Sequence, residues 1–405
     1  MVSKDNVQKP PSLNSRKATY LVMLSEEVSR RLKQFHLQHS LQDSDCLLRF
    51  DDHGPRGEIP PIIPYAPFRR SRVFTGTRQG GLYNQHPQLG KFKDKYFFAF
   101  SNGRVNEEDA GQRILISSSN DAITWSSPNC LVGDRNDKGI AHCSMAIKNA
   151  GDKLYVVAKK EDTIIDAAAP GMRRINPETQ QLSVYESEDG KDWKKVFDFT
   201  DQLMGFFEDP EPTTDGNLLA IATLKSGPAF LRWPGENLCE HPEVISVPPP
   251  PGTEFPYGEG SWYQTKDGTI IAFWRDEGQS CRVWVNYSTD GGRTFSELAM
   301  TDIPDSMSRV YVGRLRDGRF FLCNNAFPTL LNRMYLFLML SDDGYVFNRV
   351  YLLIDDPTAQ RAKGLLKADG YQYPCCVVED GRLLVGYSVN KEDIECGIVD
   401  VESLQ

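Results

Sequence analysis

Short apolar runs alternate with turn residues along most of the chain. From about residue 80 onward the same pattern recurs, an apolar or aromatic run, a turn built on Asp, Gly or Lys, and then a strongly apolar run. Apolar runs on both sides of a tight turn indicate β-hairpins. Six copies are visible, namely HPQLGKFKDKYFFAF, CSMAIKNAGDKLYVV, PEPTTDGNLLAIATL, GSWYQTKDGTIIAFW, VYVGRLRDGRFFLCN and YPCCVVEDGRLLVGY.

The spacing of these hairpins predicts a β-propeller. The turn markers are Asp94, Gly151, Gly216, Gly268, Gly318 and Gly381, and the steps between them are 57, 65, 52, 50 and 63 residues. A four-stranded blade needs about 40 to 50 residues plus loops, whereas helical repeats need about 34. We therefore predict an all-β propeller of six blades. A seventh blade, assembled from the N-terminal runs ATYLVML and CLLRFDD, is the alternative.

The N-terminal part of the chain has a different pattern. The segment SEEVSRRLKQF places Val28, Leu32 and Phe35 at helical spacing, and a turn-rich segment follows it. We predict an N-terminal extension over residues 1–70 that packs against or closes a propeller over residues 71–405.

A second repeat lies between the hairpins and has the form Ser-x-Asp-x-Gly-x-Thr-aromatic. Its best copy is STDGGRTF, and weaker copies are SSNDAITW, ESEDGKDW and LSDDGYVF. The Asp accepts backbone N–H bonds within the turn, Gly permits left-handed angles, and the aromatic residue anchors the turn on the blade. With these boxes, residues 75–400 resemble the sialidase-like superfamily of Asp-box or BNR-repeat propellers. In that superfamily the boxes are structural and lie on the outer rim.

Composition limits the partners that we expect. The net charge of -9 and the pI of about 5.3 argue against nucleic acid, which needs clustered cations. There is no apolar run of about 18 to 20 residues and the start of the chain is polar, so we expect no membrane contact and a cytoplasmic location. The nine cysteines have no framework spacing, which favours scattered thiols. No metal-ligand spacing or phosphate loop is present, and we expect no cofactor.

Propeller geometry selects the candidate site residues. The innermost strands start at the central channel, and the strands after each hairpin end there, so polar residues at these positions converge on one mouth. The candidates are Asn84, Gln85, His86, Asn102 and Arg104 in blade one, His142 in blade two, Glu208 and Asp209 in blade three, Glu259, Trp262 and Arg275 in blade four, Arg309, Tyr311, Asn324 and Asn325 in blade five, and Tyr371, Tyr373, Asn390 and Lys391 in blade six.

His86, His142 and Glu259 are the candidates for catalysis, and Arg275 is a candidate for substrate binding. His86 and, after it, His142 can act as a general acid or base because only His titrates near neutral pH without perturbation. The alternative for each is a structural histidine. Glu259 and Arg275 flank one hairpin and reach the same end, where Arg can bind a substrate carboxylate through two bonds. A structural ion pair is the alternative there.

The resemblance adds expectations about mechanism. Sialidases bind the sugar carboxylate with three arginines, and they use a Tyr activated by a Glu as nucleophile and an Asp as acid. Spacing does not place such a triad among Arg78, Arg104, Arg275 and Arg309. The segments YNQHP, EGSWY and FWRDEG look more like BNR-repeat glycosidase-like proteins and lyases of rhamnose-uronate linkages, in which a histidine near NQHP transfers a proton. Cys375 stands where a further histidine is expected.

Two functions from different classes remain. The first is a glycosidase or lyase acting on an acidic or rhamnose-uronate glycan, with Arg275 or Arg104 on the carboxylate, proton transfer by His86, and sugar stacking on Trp262, Tyr371 and Tyr373. The second is an intracellular enzyme that catalyses a cyclisation such as a hetero-Diels-Alder reaction by orientation in its central pocket. Converging Arg, His and carboxylates would favour the first function, and an apolar mouth with few charges would favour the second. A non-catalytic binding propeller is a weaker third alternative.

Overall fold

The computed structural model describes residues 20–21, 63–165, 173–199, 203–206, 208–249, 258–275, 278–379 and 381–404. Within these ranges the regular structure consists of strands and of two 3₁₀ turns, Pro177–Thr179 and Val401–Ser403. None of the described residues belongs to a helix with the length and hydropathy of a membrane span.

The described strands form six antiparallel sheets of four or five strands, each built on one of the sequence repeats, and one further sheet of two short strands. Two strands precede the first repeat, β1 (Tyr20–Leu21) and β2 (Phe68–Thr75). Blade one contains β3 (Tyr83–Phe92), β4 (Lys95–Gly103), β5 (Arg113–Ser119) and β6 (Asn129–Val132). Blade two contains β7 (Ile140–Ala150), β8 (Lys153–Ile165), β9 (Arg173–Ile175), β10 (Gln181–Ser187) and β11 (Lys194–Asp198).

The remaining blades follow the same order. Blade three contains β12 (Leu203–Phe206), β13 (Glu211–Pro212), β14 (Leu218–Leu224), β15 (Gly227–Trp233) and β16 (Glu243–Ser246). Blade four contains β17 (Gly260–Gln264), β18 (Ile270–Trp274), β19 (Arg282–Ser288) and β20 (Ala299–Pro304). Blade five contains β21 (Tyr311–Arg314), β22 (Phe320–Asn324), β23 (Leu336–Ser341), β24 (Val346–Phe347) and β25 (Arg349–Ile354). Blade six contains β26 (Tyr371–Glu379), β27 (Arg382–Val389) and β28 (Asp393–Asp400).

The N-terminal strand completes the last blade. β2 pairs antiparallel with β28, so that Phe68 lies opposite Val399 and Thr75 opposite Asp393. The inner strands of neighbouring blades contact each other in a closed ring, β3 with β7, β7 with β12, β14 with β17, β17 with β21, and β21 with β26, which in turn contacts β3. The pairing of β2 with β28 joins the N-terminal and C-terminal ends of the ring and leaves no open edge there.

The prediction of a six-bladed all-β propeller is therefore confirmed. The predicted helix SEEVSRRLKQF and the run CLLRFDD lie outside the described residues. Of the run ATYLVML, Tyr20 and Leu21 are described, and they pair with β24 of blade five. The boundary of the predicted extension at residue 70 stays a prediction, although β2 already begins at Phe68.

The four Asp boxes have one geometry. In each, a serine hydroxyl donates to the aspartate two residues later at 2.8 to 3.1 Å, which joins Ser119 to Asp121, Ser187 to Asp189, Ser288 to Asp290 and Ser341 to Asp343. The backbone N–H groups of Thr124 and Ile123 also bond to Asp121 and lower the pKa of that carboxyl to about 2. The aromatic residue of each box packs on the blade, as Phe295 does at 3.6 Å from Phe230 between ring centroids.

The box glycine in blade two provides a test of this packing. Gly190 has a φ of +76°, and a Cβ on it would lie 2.1 Å from the buried ring of Phe97 in blade one. We expect Gly190→Ala to lower the free energy of unfolding by about 2–4 kcal/mol, from backbone strain and overpacking together. The matched control is Gly216→Ala, with a φ of +80° and no atom within 4 Å, which should lose only about 1 kcal/mol. Equal losses in urea unfolding would contradict the contact between blades.

Candidate active site

A cavity of about 600 Å³ opens at the end of the channel where β3, β7 and β26 begin. Its wall carries six cationic side chains and three carboxylates, so the cavity is locally positive although the chain has a net charge of -9. A wall of this sign favours an anionic ligand. The cations are Lys159, Arg275, Arg309, Arg333, Lys367 and Lys391, and the carboxylates are Glu107, Glu108 and Glu259.

Three polar side chains form a hydrogen-bonded triangle in the cavity wall. The Tyr373 hydroxyl donates to Glu259 Oε1 at 2.9 Å and accepts from Arg275 Nη1, also at 2.9 Å. Arg275 and Glu259 form an ion pair as the third side. Burial alone would raise the pKa of Glu259, but Arg275 and Arg309 lower it to about 2. Burial and the charge of Glu259 raise the pKa of Tyr373 well above its usual value, so a neutral phenol lies against a carboxylate.

Backbone bulges direct two rings into the cavity. The pairing of β26 with β27 shifts between Gln372 and Cys375, and that of β3 with β4 shifts between Gln85 and Gln88. Tyr373 and His86 lie inside these bulges with φ of 59° and 53°, and their rings contact edge to face at 5.8 Å. Seven of the twelve non-glycine residues with positive φ in the described ranges line this cavity. Such strain is typical of functional sites, where neighbouring structure enforces it.

Two further arginines lie beside the triangle. Arg333 is 3% exposed, donates to Gln372 Oε1 and to the Met307 carbonyl at 2.7 Å each, and lies 5.6 Å from the Tyr373 ring centroid. Arg309 is 2% exposed, and its Nε and one Nη have no hydrogen-bond partner among the described residues. A buried guanidinium needs acceptors for its N–H groups. Together with Arg275, these side chains can hold a carboxylate.

A second polar group surrounds His86. Its Nδ1 is 3.1 Å from Ser101 Oγ, and its Nε2 is 3.5 Å from Glu107 Oε1. Glu107 also accepts from the Tyr83 hydroxyl at 2.9 Å and from Lys391 at 2.6 Å. Burial, with a smaller effect of Lys391, lowers the pKa of His86 to about 4, so the imidazole is neutral at pH 7.

Glu108 belongs to a third group on the same wall. Lys159 Nζ lies 2.8 Å from Glu161 Oε1 and 3.4 Å from Glu108 Oε1. Burial, and the nearby charges of Glu161 and Glu107, raise the pKa of Glu108 to about 7. Donor atoms of Glu108, Cys143 and Glu161 lie within 4.8 Å of one another, which is close enough for one metal ion. Because the Lys159 ammonium already bonds to both side chains, we interpret this group as an ion pair of Lys159 with Glu161 that also donates a hydrogen bond to Glu108.

The structure brings six of the predicted site residues together in the cavity: His86, Glu259, Arg275, Arg309, Tyr373 and Lys391. Other predicted residues lie outside it, and most of them bond to the scaffold. Asn84 bonds to the Glu392 carbonyl and to Asn102, Gln85 is fully buried, Asn324 bonds to the Pro304 carbonyl, Asn325 to the Tyr335 and Tyr371 carbonyls, and Asn390 to Thr358.

The remaining predicted residues also lie away from the cavity wall. Tyr371 donates to the Asp356 carbonyl, and Arg104 is exposed and donates to the Arg135 carbonyl. Both backbone polar groups of His142 bond to Gln112. Trp262 packs between blades three and four, donates to the Leu219 carbonyl, and borders a second cavity of about 620 Å³ at the opposite end of the channel.

Glu107, Glu108 and Arg333 are among the cavity residues that the sequence reasoning missed. Glu107 and Glu108 lie between β4 and β5, and Arg333 lies between β22 and β23. The selection used strand starts and strand ends, whereas these three belong to loops at the same end of the channel. The available signal was the acidic run NEED directly after the polar end of β4.

Comparisons with known proteins agree with this architecture. A family model described as a BNR repeat-like domain matches residues 258–385. A search of curated proteins found no match. The NanB sialidase of Streptococcus pneumoniae, in its K499G mutant, superposes with a TM-score of 0.62 at 13% identity, over 86% of this chain and 72% of that chain.

Two further solved structures are similar. The intramolecular trans-sialidase of Ruminococcus gnavus, in complex with oseltamivir carboxylate, has a TM-score of 0.60 at 12% identity, over 82% of this chain and 98% of that chain. A protein of unknown function from Dyadobacter fermentans has a TM-score of 0.60 at 16% identity with the same coverage. At these identities the likeness concerns the fold. The family match thus assigns a BNR repeat-like domain to residues 258–385, and the repeats and the superpositions show that the chain has the fold of a sialidase-like β-propeller.

Proposed function

We propose that this protein is a glycoside hydrolase that acts on an acidic sugar and forms a covalent intermediate on Tyr373. The observation that carries the proposal is the triangle of Tyr373, Glu259 and Arg275 in a locally positive cavity. A tyrosine nucleophile is known among sialidases as an exception to the two-carboxylate mechanism of glycosidases. A neutral phenol suits an anomeric carbon that bears a carboxylate, because an anionic nucleophile would be repelled by it.

In the first step the arginines hold the sugar carboxylate and Tyr373 attacks. Arg309 and Arg333, with Arg275 at the edge of the triangle, orient the carboxylate by charge-assisted hydrogen bonds. Tyr373 Oη forms a bond to the anomeric carbon while its proton passes to Glu259, which is ionised above pH 2. The bond to the leaving oxygen breaks, and that oxygen takes the proton of Glu108, which retains it up to about pH 7.

In the second step water replaces the tyrosine. Glu108 is now a carboxylate and takes a proton from a water molecule while the oxygen of that water attacks the anomeric carbon. The bond to Tyr373 Oη breaks, and Glu259 returns the proton to the phenolate. Both residues are then in their starting states, and two displacements at one carbon retain its configuration.

The roles predicted for His86 and for a cyclase stay predictions. A neutral imidazole at pH 7 can accept a proton or a hydrogen bond, so His86 is suited to orient Tyr373 or the sugar. Converging arginines, a histidine and carboxylates favour the glycan function over a cyclisation, for which an apolar mouth with few charges was the expected sign, because nine charged side chains line this cavity. We therefore retain an acidic glycan as the proposed substrate class.

A matched pair of substrates tests the proposal. We expect hydrolysis of an aryl α-ketoside of N-acetylneuraminic acid, and a kcat/KM at least about 10²-fold lower for its methyl ester, because the ester loses two or more charge-assisted bonds to arginine. The measurement is release of the phenol, with an aryl β-glucoside as neutral control. Equal rates for acid and ester, or no hydrolysis of either, would contradict the proposal.

A further inference from the structure

The outer wall of the cavity is apolar on the side of blades five and six. Met307, Leu331 and Leu366 line it and are called here the apolar rim. Leu331 is 51% exposed and Leu366 is 63% exposed, whereas Arg309 and Arg333 are 2% and 3% exposed. The cavity therefore has a charged floor and an apolar entrance.

The rim residues are held in a strained backbone conformation. Met307, Leu331 and Leu366 have φ of 58°, 58° and 56°. Such angles cost of order 1–3 kcal/mol for a residue with a side chain, and they persist only where the surroundings enforce them. Because Leu331 and Leu366 are more than half exposed, burial in the free protein offsets only part of this cost.

Specific bonds hold the rim in place. The backbone N–H of Leu331 donates to the Ser306 carbonyl at 2.9 Å. Next to Leu366, the side chain of Lys367 is completely buried, forms an ion pair with Glu392 at 2.7 Å, and donates to the carbonyls of Leu82 and Ala362. The two leucines are thus presented at the cavity by a rigid support.

We infer that the apolar rim is an aglycone subsite that selects acidic glycosides with an apolar leaving group, such as an alkyl or lipid chain. This inference rests on the proposed function. With the carboxylate among the buried arginines, the glycosidic oxygen faces the entrance, and the next atoms of the substrate meet Met307, Leu331 and Leu366. A second sugar would need hydrogen-bond partners there, which these side chains do not offer. A cavity of about 600 Å³ lies within the range that buries a drug-sized ligand.

The test compares methyl and octyl α-ketosides of N-acetylneuraminic acid, which differ only in chain length. Each buried methylene contributes about 0.8 kcal/mol, so burial of two or more on the rim predicts a kcat/KM at least about tenfold higher for the octyl compound. The double variant Leu331→Ser/Leu366→Ser should remove this preference, so that its ratio of kcat/KM for the octyl and methyl compounds falls to about one. The matched control Leu330→Ser alters an exposed leucine that does not line the cavity and should keep the preference.

The outcomes separate the two proposals. Hydrolysis of both compounds at equal kcat/KM, or an octyl preference that survives in the double variant, would overturn the aglycone subsite and leave the hydrolase intact. If neither compound is hydrolysed, the proposed function fails. Calorimetric binding of the two compounds then still tests the rim, because tighter octyl binding that the double variant loses would support it and equal binding would overturn it.

Discussion

Replacing Tyr373 with Phe is expected to lower kcat by at least about 10³-fold while the protein remains folded. The hydroxyl is the proposed nucleophile, and no other hydroxyl in the cavity bonds to Glu259 among the described contacts. Without the nucleophile the covalent intermediate cannot form. Losses in kcat on removal of a nucleophile are among the largest measured in enzymes. The Arg275–Glu259 ion pair remains, so the wall of the cavity keeps its charge balance. Single-turnover kinetics with the aryl α-ketoside measure the loss.

Tyr371→Phe is the matched control for this variant. Tyr371 lies on the same strand, two residues earlier, and loses one hydrogen bond to the Asp356 carbonyl when its hydroxyl is removed. We expect its kcat to stay within about threefold of the original, because a lost hydrogen bond away from the reacting atoms acts on stability. Similar losses for both variants, or a Tyr373→Phe rate within tenfold of the original, would exclude the nucleophile role.

The contrast between these two tyrosines shows where prediction from the sequence stops. Residues i and i+2 of a strand face the same side, so regular alternation gives Tyr371 and Tyr373 the same direction. The bulge between Gln372 and Cys375 separates them, and only Tyr373 enters the cavity. A bulge depends on the register of two strands, which no local pattern in the sequence reveals.

The blades were predictable because their signals are local. Each Asp box bonds within about five residues, as Ser288 and Asp290 do, and each hairpin turn lies between its own two strands. The ion pair of Glu259 and Arg275 is local in the same sense, since the two residues flank the hairpin of β17 and β18. Arg333 and Glu108 come to the cavity on loops from blades five and one. These loops meet only because the blades close into a ring. The positions of Arg333 and Glu108 along the chain therefore do not show that both residues line the cavity.

The Glu108→Gln variant should slow the hydrolysis of an alkyl glycoside much more than that of a nitrophenyl glycoside. An alkoxide needs a proton as it leaves, and general acid catalysis contributes about 10²–10⁴-fold, so we expect a loss of about that size with the octyl α-ketoside. A nitrophenolate leaves without a proton, and with this aglycone we expect a loss below tenfold. Gln keeps an acceptor for Lys159 and matches the neutral form of Glu108, so folding should not change. The measurement is kcat/KM for both substrates.

The pH dependence of the alkyl substrate gives an independent check on the same residue. Burial raises the pKa of Glu108 to about 7, so the active protonated form is lost as the pH rises through 7, and the rate should fall about tenfold per pH unit above it. In Glu108→Gln this alkaline limb should disappear. Asp109→Asn, the adjacent acid of the same loop, does not alter the cavity wall and should keep the limb. Equal losses with both leaving groups, or an unchanged limb in Glu108→Gln, would assign the proton to a different group, and His86 would be the next residue to replace.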